Sequence, residues 1–344
     1  MRDFPSRRRG WWARQTPRRR VFFLALGTLT VLIAVGVGAG VGVQRRKDNG
    51  PAYLVDPTTP SGPPPDAYPP NPSPNGTVWQ PQANSTWQIV LGSPITIAST
   101  ATSTVPDVDM FDIDLFGNSA STIATLHKLN KKVICYFSAG SYEPKRPDSG
   151  DFKKSDMGKE LAGWPGEYWL DVRSSNVRDI MLKRLQLAQR KGCDGVDPDN
   201  MDGYANDNGL SLTSDDSIAF MTYLSSAATS LSLAIGLKNS LDIIPEVVNM
   251  THFAVNEQCV QYNECKTYTP YLDADKPIFH IEYPSNSPQL SAGDVSNSCN
   301  TRVDPVSYGA GGGTGTLSTL LKKMNLDGWV QYCDGKSSTT PTES

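Results

Sequence analysis

Cys193-Asp-Gly-Val-Asp-Pro-Asp-Asn-Met-Asp-Gly-Tyr204 joins a short buried-strand signal, Asp194-Gly-Val196, to a loop carrying Asp197, Asp199 and Asp202. Four carboxylates within nine residues repel one another, and such crowding raises carboxyl pKa values toward the range useful in acid–base chemistry. Alone, the stretch also reads as a metal-binding acidic loop or a solvated turn. Its neighbours decide the fold. Before it, Val177, Ile180, Met181, Leu185 and Ala188 recur at helical spacing behind Ser174 and Ser175 as candidate N-caps. After it, Ile218, Met221, Tyr223 and Leu224 repeat the pattern behind Ser214-Asp215-Asp216.

Further short apolar segments extend this alternation: Met110–Phe116, Val133–Phe137, Tyr168–Val172, Leu233–Leu237, His252–Val255, Pro277–Glu282 and Gly328–Tyr332. With Asp194–Val196 they make eight strand signals. Strand and helix in alternation imply a parallel sheet, and eight repeats imply a closed TIM-like (β/α)8 barrel, with an open doubly wound sheet as the alternative. The barrel is expected over residues 86–335, with 336–344 as a C-terminal tail.

The N-terminal quarter has another character. Residues 1–20 form a basic tail expected in the cytosol, and Val21–Val43 is an uncharged run long enough for a transmembrane helix. Residues 44–85 read as a stalk: Pro51 to Ser85 contain 11 prolines among Ser, Thr, Asn and Gly, a composition that cannot bury a core. The expected topology is a single-pass type II protein of the cell membrane whose catalytic domain faces the outside, with release by stalk proteolysis as an option. Asn75-Gly-Thr, Asn84-Ser-Thr and Asn249-Met-Thr are glycosylation acceptors that suit an exported face.

Charge is divided unevenly. The formal net charge is -3, but residues 1–47 hold eleven Lys or Arg against one Asp, so the remainder is strongly acidic. An acidic domain lacks the basic footprint that nucleic acid requires and suits a cationic or neutral partner. All six cysteines lie in that domain, where disulfides are plausible; Cys259 with Cys265 is an attractive local clasp and the other pairings stay open. No cofactor is expected. Only His127, His252 and His280 occur, without the paired spacing of a zinc site.

In a barrel the reacting groups gather at the C-terminal strand ends, and carboxylates stand at several of them. Asp199 follows the acidic strand, Glu257 ends the strand at Val255, and a glycosidase needs two such carboxyls facing each other. Asp197 competes with Asp199, because Pro198 leaves the aim of both undetermined. Asp114, Asp194, Asp202 and Glu282 are read as supporting acids that raise a partner's pKa or hold a sugar amine or hydroxyl. Tyr142, Tyr204 and Tyr283 offer aromatic faces for a sugar ring or an ammonium group. Trp329, inside a strand signal, is expected in the core.

Four motifs, Asp109-Met-Phe-Asp-Ile-Asp-Leu115, Cys135-Tyr-Phe-Ser-Ala-Gly-Ser141, Asp194-Gly-Val-Asp-Pro-Asp-Asn-Met-Asp-Gly-Tyr204 and Val255-Asn-Glu-Gln-Cys259, resemble family 114 of the glycoside hydrolases, the endo-α-1,4-polygalactosaminidases. The resemblance spans roughly residues 86 to 335. It implies a TIM-like barrel that cleaves within α-1,4-linked galactosamine polymers such as galactosaminogalactan; the acidic charge of the domain independently suits a cationic amino-sugar polysaccharide, and a monomer is expected. Asp199 as nucleophile and Glu257 as general acid/base of a retaining reaction are expected because barrels resembling the α-galactosidases divide the roles between strands four and six in that way, with Asp197 as the rival of Asp199. A stalk-borne sugar-binding module without catalysis, or a metal-dependent polysaccharide deacetylase, are the competing readings.

Overall fold

The computed structural model describes residues 78–301 and 317–343. The expected membrane helix, and the stalk up to residue 77, lie outside the described residues; among those described, no helix is long and apolar enough to cross a membrane.

Thirteen strands are described: β1 Trp87–Val90, β2 Met110–Asp114, β3 Lys132–Ser138, β4 Ser141–Tyr142, β5 Met157–Glu160, β6 Tyr168–Leu170, β7 Gly195–Asp199, β8 Ala234–Lys238, β9 Phe253–Glu257, β10 Ile278–Glu282, β11 Ser318–Leu321, β12 Trp329–Tyr332 and β13 Ser337–Thr339. Ten of them form one sheet in the order β1-β2-β3-β7-β8-β9-β10-β11-β12-β13. Pairing is parallel from β1 through β11 and antiparallel for β12 and β13. The sheet curls until its ends meet. The Trp87 indole N–H donates to the Ser318 carbonyl at 2.8 Å, Ser318 Oγ to the Ser85 carbonyl at 2.9 Å, and Tyr332 Oη to the Trp87 carbonyl at 3.2 Å. This is an α/β curled sheet of TIM-like form, with eight parallel strands.

The count of eight is reached by different strands from those expected. Tyr168–Leu170 does not join the large sheet; it pairs antiparallel with β4 and β5 in a three-stranded side sheet, so β3 pairs directly with β7. Gly328–Tyr332 is an antiparallel addition to the parallel set. β1 and β11 take their places, and neither carries a strand alternation in sequence, because β1 is buried at all four positions and β11 at its last two. Of the stretch expected as a C-terminal tail, residues 336–343 are described and pack back on the sheet. β13 pairs with β12, the Thr96 N–H donates to the Pro341 carbonyl at 2.8 Å, and Thr342 bridges Ile95.

Two apolar layers result. Inside the curl, Trp87, Ile89, Met110, Ile134, Phe253, Val255 and Phe279 form one cluster. Gly236 on β8 is required there, since a Cβ would lie 2.3 Å from the Phe253 ring. Outside, Ile113, Val133, Val196 and Ile235 meet helices α1 Ala120–Lys128, α2 Ser175–Lys191 and α3 Ser214–Ser230. Each buried aliphatic or aromatic side chain contributes about 1.5–3 kcal/mol. The helix boundaries follow their caps: Thr213 and Asp216 form a capping box on α3, and Gly192 at φ 90° ends α2. Ser174 occupies the N-cap of α2, but its hydroxyl turns to Asp156 Oδ1 at 2.8 Å.

Three disulfides staple these layers: Cys135–Cys193, Cys259–Cys265 and Cys299–Cys333. The first ties β3 to the residue before Asp194, and the second is the local clasp expected from sequence.

Candidate active site

Alternation along the parallel strands decides which polar side chains enter the curl. On β8, Ala234 and Gly236 face inward, so Lys238 does as well; on β9, Phe253 and Val255 face inward, so Glu257 follows. β7 is in the same phase through Gly195, Asp197 and Asp199, because a Cβ at Gly195 would meet Ala234. Pro198 does not disturb this, since the β7–β8 pairing ends at Val196. With β1 counted in and Tyr168–Leu170 counted out, β7 is the fourth parallel strand and β9 the sixth.

Asp199 and Glu257 meet across the mouth at Lys238. The Lys238 ammonium lies 3.2 Å from Asp199 Oδ2 and 3.5 Å from Glu257 Oε2, and sits 4.9 Å from the centre of the Tyr136 ring. Tyr136 Oη donates to Asp199 Oδ2 at 2.9 Å, and the Asn200 N–H donates to Oδ1 at 2.7 Å. Tyr283 Oη donates to Glu257 Oε1 at 2.5 Å. Asn239 grips Glu257 twice, its Nδ2 donating to Oε2 at 3.0 Å while its Oδ1 accepts the Glu257 N–H at 2.9 Å. Both carboxylates are thereby held in single orientations by charge-assisted bonds.

The electrostatics explain why those donors keep their protons. Burial, reinforced by Asp199, raises the Tyr136 hydroxyl well above its usual range, and burial with Glu257 does the same to Tyr283. Burial opposes the charge on Lys238, yet Asp199, Glu257, Asp197 and Asp112 outweigh it and raise its pKa above the ordinary lysine value. Burial and the charge of Asp199 push Asp202, beside the pair, up to about 6; Asn206 Nδ2 donates to its Oδ2 at 3.1 Å.

A backbone contact fixes the height of Asp199. Its carbonyl accepts the N–H groups of Ala139 and Gly140 at 2.9 and 3.0 Å, just beyond β3. Gly140 permits this approach: a Cβ there would fall 1.8 Å from the Asn200 carbonyl oxygen.

Other residues marked from sequence take up different places. Asp197, the rival of Asp199, lies two residues deeper on β7 and is completely buried. Asp114 borders the site through Arg146, whose Nη1 reaches its Oδ2 at 2.5 Å, and Arg146 also forks onto Glu143. Tyr142 belongs to the side sheet, edge-on to Phe152 at 5.6 Å, and Tyr204, in a 3-10 turn, packs against the outer apolar layer. Trp329 is buried.

Two expectations are corrected. Asp194 stands at the N-terminal end of β7, away from the mouth, where it accepts from His127 Nε2 at 2.8 Å, Lys132 Nζ at 2.7 Å and the Val133 N–H at 2.9 Å. Burial raises its pKa, but these hydrogen bonds prevail and lower it. Glu282 points out of the curl, because Phe279 and Ile281 occupy the inward positions of β10. It accepts from His280 Nε2 at 2.9 Å and from the Val260 N–H at 2.8 Å, holding the turn that follows Glu257.

Lys238, Asn239 and Tyr136 carry the site and were not marked. In sequence Lys238 and Asn239 are only polar residues ending an apolar strand, and Tyr136 is a member of the Cys135–Ser141 motif with no role attached. Glu167 closes the loop between β5 and β6 of the side sheet; burial and the charge of Glu143 push it up to about 7.

Comparison with known proteins identifies the family. The model of glycoside-hydrolase family GH114 matches residues 69–338. The crystal structure of Aspergillus fumigatus Ega3 in complex with galactosamine is 49% identical, with a TM-score of 0.67, and the match covers 75% of this chain and 98% of that one. A variant of the glycoside hydrolase domain of PelA from Pseudomonas aeruginosa shares the fold at 12% identity and a TM-score of 0.50, covering 75% and 99% of the two chains. No curated protein matches. With a family match over most of its length and a half-identical relative, this chain belongs to glycoside-hydrolase family 114 and is a glycoside hydrolase.

Proposed function

We propose that the protein is an endo-acting hydrolase of α-1,4-linked galactosamine polymers, with Asp199 as nucleophile and Glu257 as general acid/base of a retaining reaction. The observation that carries this reading is the sharing of Lys238 by carboxylates from the fourth and sixth parallel strands. Because one ammonium touches both, Asp199 Oδ2 and Glu257 Oε2 are at most about 6.7 Å apart, the two contacts laid end to end. A gap within that limit accommodates the roughly 5–5.5 Å of retaining pairs and reaches only the low end of the roughly 6.5–9.5 Å range of inverting ones, so retention is the reading we adopt.

In the first step Glu257 delivers a proton to the glycosidic oxygen while Asp199 attacks the anomeric carbon, forming a glycosyl ester and releasing the polymer end as an alcohol. In the second, Glu257 takes a proton from water, which attacks the same carbon and frees Asp199. Tyr136 and Lys238 steady the nucleophile, and Tyr283 and Asn239 aim the acid. The substrate assignment draws on the galactosamine bound by the half-identical relative and on the acidic character of the domain, which attracts protonated amines. Display of residues 86–335 from the cell membrane, on the stalk 44–85 and a helix over 21–43, completes the proposal. Full-length protein incubated with galactosamine, glucosamine and neutral polymers tests it by product mass: short galactosamine oligomers support it, and intact galactosamine polymer refutes it.

A further inference from the structure

Below the Lys238 ammonium lie two carboxyl groups that the proposed reaction leaves unused. Asp112 on β2 and Asp197 on β7 flank β3, both 0% exposed. No N–H or O–H group of the described residues donates to any of their four oxygens, yet the two side chains stand within hydrogen-bonding reach of each other. Buried carboxylates without donors are costly, and two in contact repel as well. The donor that can stand between them is a proton of their own, the O–H of one giving to the carboxylate of the other.

The surroundings favour retention of that proton. The charged and titratable groups facing the pair are Lys238 on β8, Asp199 above on β7 and Glu257 on β9. Tyr136 on β3 and Tyr283 beyond β10 turn their hydroxyls to Asp199 and Glu257 instead. One cation thus faces four carboxyl groups in the interior of the curl.

We propose that Asp112 and Asp197 hold one proton between them, and that the single negative charge left on the pair anchors Lys238 from below. Both are then positioning residues for the ammonium that spans Asp199 and Glu257. Burial and the mutual proximity of the pair push Asp112 well above the carboxylate range; burial, with Asp199 adding and Lys238 opposing, pushes Asp197 up to about 7. When the pair loses its proton at higher pH, a second negative charge appears beneath Lys238 and draws it away from the catalytic carboxylates. This adds to the fall of activity on the alkaline side. The catalytic consequence rests on the proposed function; the shared proton does not.

Infrared spectroscopy of the full-length protein tests it. In a Glu257→Gln background near neutral pH, a carbonyl stretch of a protonated, solvent-shielded carboxylic acid is expected. The part of that band due to the pair should be lost, in the difference between the spectra, on adding either Asp112→Asn or Asp197→Asn, since an amide then supplies the missing hydrogen bond, while the contributions of the partly exposed Asp202 and Glu167 stay. With Glu257 intact, Asp112→Asn should move the alkaline limb of the pH–kcat profile by about one pH unit or more, because the titration beneath Lys238 is gone. Absence of the band in the Glu257→Gln protein, no loss of its intensity in either added variant, or an unmoved alkaline limb in a folded Asp112→Asn enzyme would each overturn the proposal. If Asp112→Asn does not fold, Asp197→Asn supplies the same comparison. The band requires no substrate, so failure of the polymer assay with the band behaving as expected would sink the proposed reaction and leave the shared proton standing.

Discussion

Asp199 and Glu257 share one ammonium, Lys238 Nζ, which donates to Asp199 at 3.2 Å and forms an ion pair with Glu257 at 3.5 Å. Two acids on strands separated by β8 are thereby fixed relative to each other by the strand between them. A glycosidase needs that relation held constant through two steps, and a buried cation holds it better than solvent could.

Lys238→Met removes that cation and leaves its carboxylates facing one another. A fall in kcat of about 10²–10³ is expected, the size of losing one preorganised electrostatic contact. Stability should drop by about 3–5 kcal/mol, the usual cost of stranding buried charge. Steady-state kinetics with a urea unfolding curve would measure both, and unchanged kcat in folded variant would contradict the role.

Gly140→Ala places a methyl group where the Asn200 carbonyl lies, 1.8 Å from the ideal Cβ. The Asp199 backbone must shift, so kcat should fall at least tenfold and stability by about 1–3 kcal/mol. Gly150→Ala is the control, because nothing lies within 4 Å of its Cβ position. Equal effects of the two substitutions would show that the close approach does not set the position of Asp199.

Much of the site was legible because parallel strands end in their functional groups, so an acid directly after an apolar run, such as Asp199 or Glu257, announces itself. Phase was not legible. Glu282 and Tyr283 are adjacent, and only the inward placement of Phe279 and Ile281 shows that the tyrosine enters the curl while the glutamate does not. Lys238 escaped notice for a different reason: a lysine closing Ala-Ile-Gly-Leu reads as an exit to solvent until carboxylates from both neighbouring strands are seen around it. β1 and β11 lacked alternation, whereas Tyr168–Leu170 looked like a core strand because its last two residues are buried, though in the side sheet.

Lys322 gives the stability a distinct pH dependence. It is fully buried, donating to Gln88 Oε1 at 3.1 Å and the Asp327 carbonyl at 2.7 Å, and burial lowers its pKa from 10.5 to about 7. Between those values the unfolded chain binds more protons than the native protein, so this residue makes stability rise with pH from about 7 to 10.5. Urea midpoints measured across that window should rise less steeply, or fall, in Lys322→Met. The same slope in both proteins would contradict a buried, neutral-leaning Lys322.

The disulfides should differ in weight. Cys135–Cys193 spans 58 residues and Cys259–Cys265 only 6. Chain-entropy reasoning gives about 4 kcal/mol for the longer loop and about 2 kcal/mol for the shorter. Paired Cys→Ser variants compared by urea unfolding should follow that order; the reverse order would mean that the clasp behind Glu257 stabilises by strain relief or packing instead.

The division of labour between Asp199 and Glu257 is tested most directly by azide rescue of alanine variants on an aryl α-galactosaminide, with the product anomer read by proton NMR. Asp199→Ala should yield the β-azide, because azide attacks from the face the nucleophile vacated. Glu257→Ala should yield the α-azide, because azide replaces water on the glycosyl ester. The opposite anomers, or full activity of either variant without azide, would contradict Asp199 as nucleophile and Glu257 as acid/base.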